Sequence, residues 1–348
     1  MAMQQDQQEG IQKLKAALKE KRAERLYVFY GEETFLLNYY LQQLKKMLVE
    51  DLTESFNFHK LNKENFEIRD FADAVESLPM MAPSTFVWVD DIDIFKLPEG
   101  DREKVTDILS DIPDYCTVVF TFETTQWKPD KRFKKLWEAI SSYGQIVEFA
   151  RQDQRQLIAW VSRHFAAEQK KISPDLCSYL IDITGGTMTT LAGEISKIAA
   201  YSGADTIVKS DIDAVTEPVL DAVVFQMTDL LGEGKYGAAL AKLQQLLKMQ
   251  QKPIEILGAV GAHFRKISTA RILLNNGKNV GDMVRITGLK EYPAKKAIGA
   301  ARNFSVAFCE KAAQLILETD RKMKTSVDDQ ERLLELLILQ LAQEARNG

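Results

Sequence analysis

The first place in the chain where residue types could hold a phosphate is the turn Gly31-Glu32-Glu33-Thr34, which follows the apolar run Leu26-Tyr27-Val28-Phe29-Tyr30. A strand closed by glycine and followed by a helix offers backbone N–H groups and the positive end of a helix dipole. A working phosphate loop also needs a second glycine to wrap the phosphates, a lysine to offset their charge and a hydroxyl for magnesium. This turn has neither the second glycine nor the lysine, and its two carboxylates would repel an anion. It reads as a capped helix start that binds no nucleotide. Asp90-Asp91-Ile92-Asp93 could suggest an acidic magnesium site, but without a phosphate cradle it reads as a solvated turn. His59, His164 and His263 have no partner at ligand spacing, and no nucleophile elbow occurs. These residues call for no catalytic group, cofactor or metal.

Two further clusters suit binding rather than catalysis. Lys128, Lys131, Arg132, Lys134 and Lys135 lie on or before a helix containing Phe133 and Trp137, and form the best candidate for any DNA contact; a solvated helix face is the competing reading. Between a helix and a strand stands Ser77-Leu78-Pro79-Met80-Met81-Ala82-Pro83. Its two adjacent methionines fit neither helical nor strand periodicity. The prolines stiffen both sides and lower the ordering cost of docking, and methionine is a flexible, polarisable occupant for an apolar pocket. The alternative is that both side chains tuck beneath the sheet edge.

The elements that must position these residues change character along the chain. Leu26–Tyr30, Thr85–Val89, Cys116–Phe122 and Gln145–Phe149 read as buried strands, with Phe56 and Phe58 as a weaker alternating one. Helical spacing separates them, for example at Phe35, Leu36, Tyr39, Tyr40 and Leu44. Strand and helix in alternation predict a mainly parallel sheet covered on both faces. After about residue 150 the strand signal vanishes. Leu157, Trp160 and Val161, then Leu176 to Ile183, then Leu191 to Ala199 predict a small helical domain, with Pro174 after Ser173 starting one helix and Gly185-Gly186 ending it. From Pro218 on, helical apolar spacing continues to Leu341, as in a packed bundle. The expected division is 1–150, 151–217 and 218–348.

Composition agrees with a folded chain: of 348 residues, 45% are hydrophobic and 27% charged. The net charge of −5 weakens any reading as an independent tight DNA binder, because such affinity comes from Lys and Arg neutralising phosphates. Cys116, Cys177 and Cys309 are far apart in apolar segments, which speaks against disulfides and zinc. A polar, Gln-rich start and the lack of a long apolar run predict a cytoplasmic protein.

Several segments, in this order and spacing, resemble the clamp-loader delta subunits of bacterial DNA polymerase III: Tyr27 to Leu36, Leu78 to Pro83 with the Phe86–Val89 strand, Gly185-Gly186 with Glu194, Phe225 with Gly237 to Leu240, His263 to Ile267, Ala301 to Ser305, and Asp320 to Thr325. The resemblance implies an AAA+-like, nucleoside-triphosphatase-type α/β domain with a degenerate phosphate loop, a small helical lid and a C-terminal helical collar. It implies that Leu78, Pro79, Met80 and Met81 bind the beta sliding clamp and open its ring for loading on primed DNA. It also implies that Arg302, Phe304, Asp320 and Lys324 contact the gamma/tau and delta-prime loader subunits. An aromatic residue commonly fills the second wedge position, so Met81 implies a softer anchor. Two rival readings remain at this level: an active ATPase of the same fold, separable by nucleotide binding, and a helical adaptor outside replication, separable by clamp binding.

Overall fold

The computed structural model describes residues 2–289, 291–326 and 328–347. The chain forms two compact units that divide between Asp153 and Gln154.

The first unit begins with helix α1 (Ala2–Glu20), which the polar opening did not announce. It continues through β1 (Leu26–Tyr30), α2 (Thr34–Leu48), α3 (Glu54–Asn57), β2 (Phe58–Leu61), α4 (Ile68–Glu76), β3 (Thr85–Asp90), α5 (Glu99–Ser110), β4 (Cys116–Phe122), α6 (Lys134–Tyr143) and β5 (Gly144–Glu148). The five strands are all parallel and lie in the order β2-β3-β4-β1-β5. Successive side chains of β1 take opposite faces, as a pleated strand requires. Leu26 and Val28 join a core with Phe71, Val105, Leu109 and Leu136, while Tyr27 and Phe29 join another with Leu14, Leu37, Leu41 and Leu44. The strands read as continuous apolar runs because both faces are covered, by α1 and α2 on one side and by α4, α5 and α6 on the other.

One expectation fails here. Phe56 does not alternate with Phe58 along a strand; it lies in α3, half exposed, and β2 starts only at Phe58. The reason is local: the Asn57 amide donates to the Thr53 carbonyl and the Lys45 ammonium meets the Glu54 carboxylate, so this stretch closes into a helical turn.

The second unit is helical: α7 (Gln154–Ala167), α8 (Pro174–Thr184), α9 (Met188–Tyr201), α10 (Lys209–Val215), α11 (Leu220–Gly232), α12 (Tyr236–Lys248), α13 (Pro253–Asn275), α14 (Val280–Thr287), α15 (Glu291–Ala301), α16 (Val306–Thr325) and α17 (Gln330–Asn347). Ser173 caps α8 with Pro174 in its first turn, and Gly185 ends it in the left-handed conformation at φ +81°. Residues from Val223 to Ala342 share one apolar core, including Leu243, Val260, Phe264, Leu334 and Leu337. Among the described residues no helix is long and apolar enough to cross a membrane.

The architecture is therefore a parallel α/β unit followed by an all-helical one. Cys116, Cys177 and Cys309 are buried free thiols.

Candidate functional site

The loop between α4 and β3 is held by its backbone and open at its side chains. Because Phe58 pairs with Phe86, the chain entering β2 runs beside the chain entering β3. Asn57, fully buried, uses that neighbourhood. Its Nδ2 donates to the carbonyls of Thr53 (3.1 Å) and Met80 (3.0 Å), and its Oδ1 accepts the Met80 N–H at 2.8 Å. The Ser84 hydroxyl donates to the Leu48 carbonyl (2.9 Å) and the Tyr115 hydroxyl to the Glu76 carbonyl (3.1 Å), which fastens both ends. Pro79 and Pro83 fix two further φ angles. Met81 sits at φ +54°, a left-handed conformation that costs a non-glycine residue about 1 kcal/mol and needs surrounding structure to impose it.

What this scaffold displays is apolar. Met81 is 94% exposed, Leu78 70% and Met80 53%. Neither methionine is tucked under the sheet. Leu52 and Phe56 are also exposed, on the segment that ends at the Asn57 clamp. Single exposed apolar residues are ordinary, but five on two segments joined by a buried side chain form a surface suited to protein contact. Sequence reasoning missed Asn57, Leu52 and Phe56. The available signal was the apolar pair Leu52 and Phe56 at i, i+4 in the otherwise polar stretch Asp51 to Asn57.

The Gly31 turn has the opposite character. Gly31 adopts φ +130°, and a Cβ there would lie 2.3 Å from the Phe149 carbonyl oxygen, so only glycine fits. The Glu33 N–H donates to that carbonyl at 2.9 Å, and the Phe149 N–H donates to the Tyr30 carbonyl at 2.7 Å. Glu33 is buried, and it precedes α2 without a side-chain cap; the helix start is fastened by backbone instead. The Tyr30 hydroxyl, 3.1 Å from Glu148 Oε2, is pushed up to about 12 by burial and then by the Glu148 charge. Glu32 and Thr34 complete this turn, and the Thr34 carbonyl accepts from Asn38.

The acidic cluster after β3 is not a solvated turn but a set of loop fasteners. Asp91, at φ +58°, accepts the N–H groups of Glu123, Thr124 and Thr125 and the Thr124 hydroxyl. Burial alone would raise its pKa, yet those bonds outweigh it and hold the carboxyl below its ordinary range. Asp90 accepts from Thr121 and pairs with Lys60 at 3.2 Å, and Asp93 caps the turn at Phe95. Of the basic stretch, Arg132 is bound to Asp130 (2.6 Å) and Lys131 lies 5.0 Å from the Trp137 ring centre; Lys128, Lys134 and Lys135 are exposed near the start of α6. His59 and His263 are partly buried, with Nε2 atoms sealed from solvent, and His164 bonds to the Trp160 carbonyl.

Comparison with known proteins decides the family. Residues 27–143 match the family model described as DNA polymerase III, delta subunit, and residues 221–341 match that of the DNA polymerase III delta subunit, C-terminal domain. This chain belongs to the DNA polymerase III delta-subunit family. It is 26% identical to the DNA polymerase III subunit delta of Bacillus subtilis (strain 168) over 337 residues, covering 93% of this chain and 95% of that protein. It is 22% identical to the probable DNA polymerase III subunit delta of Aquifex aeolicus (strain VF5), covering 77% and 76%. Among solved structures, the Bacillus subtilis DNA clamp loader delta protein YqeN shares the fold, with TM-score 0.64, 22% identity and coverage of 95% of this chain and 99% of that one.

Of the delta-family segment residues in the helical unit, Arg302 is exposed in the turn before α16. Phe304 is not available for contact as expected: it is 4% exposed and stacks on Phe308 at 4.6 Å, because the aromatic ring contributes more to the bundle core than it would in water. Asp320 and Lys324, one turn apart on α16, bind each other at 2.8 Å.

Proposed function

We propose that this chain is the clamp-opening subunit of its loader: Leu78, Pro79, Met80 and Met81 insert into an apolar pocket of the beta sliding clamp, and binding favours the open ring. The observation that carries this reading is the loop itself, rigid in backbone through Asn57 and apolar at its exposed tip. Preorganisation lowers the cost of docking, and each methionine buried in a partner is worth about 1.5–3 kcal/mol. A ligand shifts a conformational equilibrium by its preference for one state, so a wedge that fits only a distorted interface opens the ring without chemistry. Leu52 and Phe56, beside the wedge, extend its footprint.

Nucleotide plays no part on this chain in this reading. The Glu33 N–H that a phosphate would need is already bonded, the Phe149 carbonyl faces Gly31, and acidic side chains stand where a cradle would need lysine. Hydrolysis belongs to the gamma/tau subunits, which with delta-prime meet this chain through its collar. Helices α7–α10 form the lid and α11–α17 the collar, the latter around its own apolar core. Arg302, Asp320 and Lys324 remain the surface candidates for that assembly. DNA contact falls to Lys128, Lys134 and Lys135, and the work of the protein is cytoplasmic.

The test is clamp binding by the purified chain, measured by calorimetry against the cognate clamp. Met80→Ala with Met81→Ala should weaken binding by at least about 100-fold while leaving the thermal midpoint in place, since both side chains are exposed. Unchanged affinity would remove the wedge. Saturable micromolar ATP binding by the isolated chain would restore the ATPase reading.

A further inference from the structure

The helical unit holds a cavity that shares only Arg302 with the surface proposed for loader assembly. It encloses about 240 Å3 and is lined by Arg271 of α13, the turn Arg302-Asn303-Phe304-Ser305, Phe308 of α16 and Ala345 of α17. Its aromatic wall is firm, because Phe304 and Phe308 are buried and stacked within 14° of parallel.

Its charge is of one sign. No carboxylate lines it, and among the described residues neither guanidinium has an ion-pair partner. The Arg271 Nε is shut off from solvent with no acceptor in reach, so this group is held by packing and not by a counter-charge. A third positive feature comes from the backbone. Ser305 caps the twenty-residue helix α16, its Oγ accepting the Phe308 N–H at 3.1 Å, which brings the positive end of that helix to the same turn. An arginine partly desolvated without a partner is costly. An oxyanion in the cavity would supply the counter-charge that both arginines lack, and the planar guanidinium matches the oxygens of a phosphate or carboxylate.

We propose that this cavity is an oxyanion-binding site in the helical unit, gripped by Arg271 and Arg302 with the start of α16. The anion is a phosphate or a carboxylate, supplied free in solution or carried on an acidic side chain of a neighbouring subunit. The site is separate from the Met80-Met81 wedge and does not depend on clamp binding.

The experiment titrates inorganic phosphate, and separately acetate, into the full-length chain at constant ionic strength, with chloride as the control. Thermal midpoint and the linewidth of the phosphate 31P signal are the readouts. Saturable binding of one phosphate is expected, at least about ten-fold weaker in Arg302→Gln, whose exposed side chain can change without loss of fold. Arg271→Lys keeps the charge and loses the fork, and is expected to weaken binding as well. A response to acetate with none to phosphate, lost in Arg302→Gln, supports the site and identifies an acidic side chain as its natural occupant. No saturable response to either anion overturns the proposal. So does binding that both variants retain at the parent's strength.

Discussion

Two turns of the same parallel sheet have been put to opposite uses. At the end of β1, the Gly31 turn faces inward: its glycine lies against the Phe149 backbone, its Glu33 N–H is bonded and its acidic neighbour Glu33 is buried. At the start of β3, the Ser77 to Ser84 loop faces outward, its backbone bonded to Asn57 and its apolar tip in solvent. A turn whose Glu33 N–H is already bonded and whose glycine is pressed against backbone is ill-suited to cradle phosphate, and a backbone fixed from below can present side chains at low entropic cost. The difference between them lies in where the hydrogen bonds go, not in secondary structure.

The comparison is broken most directly at Gly31. Gly31→Ala should destabilise the α/β unit by roughly 2–4 kcal/mol, since a Cβ would overlap Phe149 backbone at an unfavourable φ; chemical denaturation measures it, and a neutral result would mean the turn is looser than described. Asn57→Ala comes next. It leaves the Met80 N–H and two carbonyls without their partner and should cost about 1–3 kcal/mol of stability. It should also weaken clamp binding, although Asn57 is buried beneath the displayed surface. If stability falls and affinity does not, the wedge needs no rigid backbone.

A smaller effect sharpens the outward side. Leu52→Ala with Phe56→Ala should weaken clamp binding about three- to ten-fold with an unchanged denaturation curve, as expected of residues at the edge of an interface. Equality with the methionine pair would move the centre of the interface toward α3. The smallest effect concerns pH. The Asp91 carboxyl has a folded pKa below its ordinary 3.8, so its contribution to stability is present above that value and is lost as pH falls through the lower folded value. Asp91→Asn should therefore flatten the stability profile below about pH 4 and lower stability at neutral pH.

Much of this was legible in the residues. Continuous apolar strands with glycine and helical spacing between them gave the two-faced sheet, and the missing lysine and second glycine marked a turn unsuited to phosphate. Two prolines around two methionines marked a stiff apolar loop but left open whether its side chains were displayed or tucked beneath the sheet edge. Other features were not legible, because they depend on segments brought together by folding. The resemblance implied a contact role for Phe304, which is core, since a single aromatic in the sequence gives no sign of what packs over it. Asp90 and Asp91 looked solvated and are fasteners, since their partners lie as far away in sequence as Thr121 to Thr125.

The sequence by itself determined the alternation of strands and helices and the apolar chemistry of Met80 and Met81, because these depend on local spacing and on residue type. Only the tertiary structure decided that Asn57 would hold Met80 from 23 positions away, that Met81 would point into solvent, and that Arg271 and Arg302 would share one cavity. Those outcomes rest on parallel pairing of β2 with β3 and on the packing of α13, α16 and α17, where distant residues meet and hydrogen-bond partners are assigned.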